Sequence, residues 1–103
     1  LTTEQMVGIG VYGIDDQQIG SIGEVLTHAD GSIDAIIVDV GGFLGLGAKP
    51  VAVAYENLTF SSDTNDNRYL FINATREQLE SQPAYDASTY PQDSANQRMV
   101  FTP

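Results

Sequence analysis

Residues 39–53 read DVGGFLGLGAKPVAV, and their glycines with a lysine behind them invite comparison with a phosphate-binding loop. Such a loop needs two suitably spaced glycines, then a lysine, then a serine or threonine, all opening a helix. Gly42 and Gly47 have the spacing, but Ala48 stands where the lysine is required. Lys49 is one place late, Pro50 takes the place of the hydroxyl, and VAVAY (51–55) has the pattern of a strand. A dinucleotide site fails for the same reason, since no helix N-terminus follows to receive a pyrophosphate. The glycines then serve a loop that needs positive φ or close backbone packing. Phe43 and Leu44 or Leu46 become apolar plugs, for the end of the fold or for a partner.

Other polar groups are thinner. In DTNDN, Asp63, Asn65 and Asn67 match the first oxygen positions of a calcium loop, but Arg68 replaces the required glycine and Ala74 the bidentate glutamate. A hairpin turn accounts for the same residues. Asp15–Asp16 and the pair Asp30/Asp34 sit near turns, where solvated turn residues are expected rather than a general acid–base pair. Asp39 lies inside an apolar run and is expected to face solvent or to bond the glycine loop's backbone, the second being preferred. His28 is the single histidine, at a strand end, and there is no cysteine. Thiolate chemistry and zinc–sulfur sites are therefore excluded, and a hydrolase would have no nucleophile–base pair to use. No catalytic residue, cofactor site or metal site is assigned.

The elements that position these residues are short. The chain has 103 residues, room for one compact domain. Fourteen acidic against four basic side chains give a net charge of −10, which argues against nucleic acid and anionic membrane surfaces. No apolar run is long enough to span a membrane. IGSIGEVLTH (19–28) alternates as a half-buried strand, with Ile22 and Leu26 on one side, Val25 on the other, and glycines that suggest a bulge. Asp30–Gly31 is a strong turn, and IDAIIVDV (33–40), apolar on both faces, is expected to be a central strand paired with it as a hairpin. KPVAVAYENLTF (49–60) and RYLFINA (68–74) supply further strands, the first with Val51, Val53 and Tyr55 on one side. Thr75 and Gln78 have capping-box spacing for a short helix that Pro83 stops, with Leu79 inward. Residues 83–103 form a polar tail or linker, packing partly through Tyr85 and Tyr90. The sum is an all-β small barrel with one late helix.

The stretch IGSIGEVLTHADGSIDAIIVDVGGFLGLGAKPVAVAYENLTF (19–60) resembles the PRC-barrel family, above all in GGFLGLG followed by VAV, the form found in single-domain proteobacterial members. Ala54 departs from the proline that many members carry after VAV. The resemblance implies a β-barrel of about six strands over residues 1–82, working as an interaction or assembly module without catalytic residues. It also implies a protein partner or a homo-oligomer, and a periplasmic rather than cytoplasmic location. The residues expected at the interface are Phe43, Leu44 and Leu46. The competing reading is an acidic barrel that binds a small ligand or a cation.

Overall fold

A computed structural model describes residues 3–41, 48–55, 58–62, 64–65 and 67–99. The glycine-loop residues Phe43, Leu44 and Leu46, and Asp63 of the acidic turn, lie outside the described residues. The chain begins with helix α1 (Thr3–Met6), followed by strands β1 (Gly10–Tyr12), β2 (Gln18–Thr27), β3 (Ile33–Val40), β4 (Lys49–Ala54), β5 (Thr59–Ser62) and β6 (Arg68–Phe71). Helices α2 (Arg76–Glu80) and α3 (Tyr90–Gln97) and a two-residue strand β7 (Arg98–Met99) follow. The strands form one sheet in the order β5-β6-β1-β2-β3-β4-β7. Neighbours are antiparallel except β1 with β6 and β4 with β7, which are parallel.

One face of this sheet converges on a single core. Val11, Ile22, Ile36, Val38, Val51, Val53 and Leu70 come from five strands into one buried cluster, with Phe60 of β5 against it. Strands so far apart in the order can share one cluster only if the sheet curls around it, so the fold is barrel-like. Met6 of α1 and Leu79 of α2 join the same cluster. Leu79 is held there because α2 starts as its sequence requires. The Thr75 hydroxyl accepts from the Gln78 amide (3.3 Å), and the Gln78 side chain accepts from the Thr75 amide (2.8 Å).

The hairpin β2–β3 turns at His28–Ser32, where Gly31 takes φ +90° and the Asp30 carboxylate accepts from the Ser32 amide. The register of β2 slips between Ile22 and Glu24. That bulge changes the phase of the strand, so Ile22 and Val25 face the core while Leu26 packs on the opposite face. The expected pairing of Ile22 with Leu26 is thus corrected by one extra residue. The bulged glycine has its own reason: a side chain at Gly23 would strike the Asp39 carboxylate on β3. The run 49–60 is divided into β4 and β5, and Tyr55 follows the end of β4, 37% exposed, instead of sharing the core side with Val51 and Val53. Strand β3 is central, with Ala35, Ile36, Ile37 and Val38 buried on both faces. Its outward face is covered by Tyr85 and Tyr90, and Tyr90 opens α3, a second helix of the C-terminal half beyond the single late helix expected.

Candidate functional site

The parallel pairing of β1 with β6 sets Gly10 beside Tyr69, Val11 beside Leu70 and Tyr12 beside Phe71. Val11 and Leu70 point inward and are fully buried. Alternation along the strands therefore turns Gly10, Tyr12, Tyr69 and Phe71 outward. Tyr12 and Tyr69 meet edge to face with centroids 5.9 Å apart, and Tyr69 and Phe71 do the same at 5.5 Å. These geometries suit the ring quadrupoles and hold the three rings as a ladder across the two strands.

Gly10 interrupts that ladder with a slot. A Cβ there would come within 3.3 Å of the Tyr12 ring and the Gln18 amide and crowd both, so glycine keeps the floor open. The result is a groove of about 620 Å³ bounded by Gly8, Gly10, Tyr12, Asp16, Gln18, Asn67, Arg68, Tyr69 and Phe71. A second depression of about 490 Å³ shares Gly8, Gly10, Asn67 and Arg68 and extends the surface to Val7, which is 50% exposed. The rings offer flat apolar area, Arg68 offers guanidinium donors, and Gln18 offers an amide. Together these groups can make stacking and hydrogen-bonding contacts. Asp16 is the acid on its rim, and neither the single imidazole nor a thiol lines it.

The residues singled out from sequence are scattered. Lys49 donates from Nζ to the Glu80 carbonyl (2.6 Å), at the C-terminal end of α2 where a cation is favoured. It is thereby engaged in the fold, and β4 follows it as the strand pattern required. Asp30 is exposed, and its bonds from the Ser32 hydroxyl and amide hold its carboxyl below the usual range. Asp34 departs from the solvated-turn expectation. Its side chain is 13% exposed and accepts from Arg98 Nη1 at 2.6 Å and from the Tyr90 hydroxyl at 2.8 Å. His28 Nε2 lies 3.5 Å from the same carboxylate, with its ring 57% exposed. Burial, then the bond to Asp34, pushes the Tyr90 hydroxyl up to about 12. The Asp39 carboxylate sits over Gly23, and its expected bond to the glycine loop involves residues outside those described. Among the described residues no group of three or more acidic, histidine or cysteine side chains could hold a metal ion. The calcium-loop reading turns on Asp63, outside the described residues.

Strand alternation in RYLFINA (68–74) sets Tyr69 and Phe71 on one face and Leu70 and Ile72 on the other, but gives the aromatic face no role. The usable signal was large aromatic residues on the side opposite Leu70 and Ile72. Tyr12 carried no local signal, because it joins them only through a pairing that spans most of the chain.

A family model described as PRC-barrel domain matches residues 3–79, from α1 through most of α2. Among curated proteins the chain has no match.

Proposed function

The chain belongs to the PRC-barrel domain family, and from that premise we propose that it is a non-enzymatic interaction module whose β1–β6 face docks a protein partner. The family supports a small β-barrel module. The observation that carries the finer reading is the ladder Tyr12–Tyr69–Phe71, three rings held on the solvent side of the sheet. Aromatic residues with arginine beside them are the composition that concentrates binding energy at protein interfaces. Arg68 and Val7 extend the apolar strip at one end and give it a polar rim.

The test is comparative capture from the native host with wild type and with a full-length Arg68→Glu/Tyr69→Ser variant. A partner retained by wild type and lost by the variant, at a temperature where both are folded, supports the reading. The same proteins retained by both remove this face from it. The glycine loop is proposed as a second contact, through Phe43, Leu44 and Leu46. Light scattering on wild type and Phe43→Asp is expected to show a self-associated species that the variant lacks, and two folded monomers would remove the loop.

A small-ligand reading also has one observation behind it, since about 620 Å³ falls within the range of small-molecule sites. Its cation form, through Asp63, Asn65 and Asn67, predicts heat and a raised melting temperature with millimolar calcium.

A further inference from the structure

Over β3 and β4 the sheet has another outward face, away from the aromatic groove, and residues 85–99 lie on it beyond the family match. We propose that this face is a peptide-docking groove filled in cis by the chain's own C-terminal segment, and that the same segment of a second copy can enter it in trans.

The segment is a unit with its own internal bonds. The Asp86 amide donates to Gln97 Oε1 (2.8 Å), and Gln97 Nε2 donates to the Thr89 hydroxyl (2.7 Å). The Asp86 carboxylate accepts from the amide and hydroxyl of Ser88, and the Tyr90 amide donates to the Asp86 carbonyl. Tyr85 and Tyr90 meet edge to face at 5.3 Å. Among the described residues, none of these belongs to the main core, whose last member in sequence is Leu79. The segment can therefore leave without opening that core, as locally cooperative units do.

Besides a bond from Gln82 Nε2 to the Asn96 carbonyl (3.1 Å), three contacts among the described residues hold it to the barrel. Tyr90 packs on Ile37 and Ala52, with Leu26 and Tyr85 at the margin. Strand β7 adds to the edge of β4 through Ala52 with Arg98 and Val53 with Met99, and the Tyr85 amide donates to the Pro50 carbonyl. Asp34 receives both Arg98 and Tyr90. An apolar floor, an open strand edge and a fixed carboxylate together make a strand-addition site, where the backbone supplies affinity and the side chains supply selection. The occupant's chemistry is stated by the segment seated there: two tyrosines, then an arginine, closed by a strand. Departure of that arginine would leave a largely buried carboxylate on a chain of net charge −10, so an open groove selects a cationic replacement. A second copy carries the matching segment.

Attachment gives the cis segment a high effective concentration, so entry in trans requires its release. The test uses a fluorescent peptide of residues 83–103 with full-length wild type and with full-length Tyr90→Ala/Arg98→Ala. Only the open fraction binds, so anisotropy is expected to show the variant binding about tenfold or more tighter than wild type. Adding Asp34→Ala to that variant is expected to weaken binding. No binding by a natively folded double variant, or equal affinity for the two proteins, overturns the proposal. Native-state hydrogen exchange on wild type decides if the variant does not fold. The Tyr85 amide should exchange through an opening that leaves Ile36 and Val38 protected, and exchange of all three at one common free energy overturns it.

Discussion

Over β1 and β6 the outward positions are Gly10, Tyr12, Tyr69 and Phe71, whose rings are partly open to solvent. Over β3 and β4 they include Ile37 and Ala52, 3% and 0% exposed under Tyr85 and Tyr90. Both faces use edge-to-face aromatic contacts. What differs is the layer beneath. Ile37 and Ala52 have no polar atoms in their side chains, so water on them is unfavourable and a cover is favoured. Tyr12 and Tyr69 carry hydroxyls that water satisfies, so the first face can remain exposed. Residue type on the outward side of a strand thus separates a face that is closed within the chain from one that stays partly exposed.

Breaking the covered face has the largest expected effect on stability. Ile37→Ala removes most of its floor and should cost about 2–5 kcal/mol, read from urea denaturation. Tyr90→Phe is milder. It deletes one hydroxyl that donates to the Asp34 carboxylate while Asp34 keeps Arg98, so a loss of about 1.5–3 kcal/mol is expected near neutral pH. That loss has a pH signature. Tyr90 is raised from 10.0 to about 12, chiefly by burial. A pKa raised in the folded state gives stability that is complete below the unfolded pKa and is lost as pH climbs through the folded one. The advantage of wild type over Tyr90→Phe should therefore shrink between pH 10 and about 12; an advantage that stays constant would place the hydroxyl's contribution elsewhere. The open face should show the smallest effect on folding. Tyr69→Ser forfeits ring contacts worth about 0.5–1.5 kcal/mol each, and its main consequence should appear in partner capture.

Much of this contrast could be read in the sequence, and the reasons for the rest are specific. IDAIIVDV is apolar on both faces, which is legible as a strand needing cover on each side. The capping box at Thr75 and the Asp30–Gly31 turn are local signals and produced local structure. Leu26 was misplaced because the slip near Gly23 shifts the alternation, and a glycine announces a bulge without fixing its phase. The identity of the cover was hidden because YPQDSANQ is mostly polar and its hold is distant, with Tyr90 and Asp34 separated by 56 positions. Sequence patterns report neighbours at strand and helix spacing, and neither α3 nor the Tyr12–Tyr69 contact depends on such neighbours alone. Phe43, Leu44 and Leu46 stand outside the described residues, and their role rests on the experiments above.

The parallel seam between β1 and β6 also has a consequence for how the chain folds. Strands β2, β3 and β4 are joined in succession and can pair while the chain is still short, whereas Gly10 must wait for Tyr69. Closing so long a loop spends chain entropy before any contact returns it, which slows folding in proportion to contact order. The seam is thus expected to form late, and the aromatic groove with it. A nascent or partly unfolded chain would display the hairpin and lack the groove, so a partner that binds there would recognise only molecules whose folding is finished.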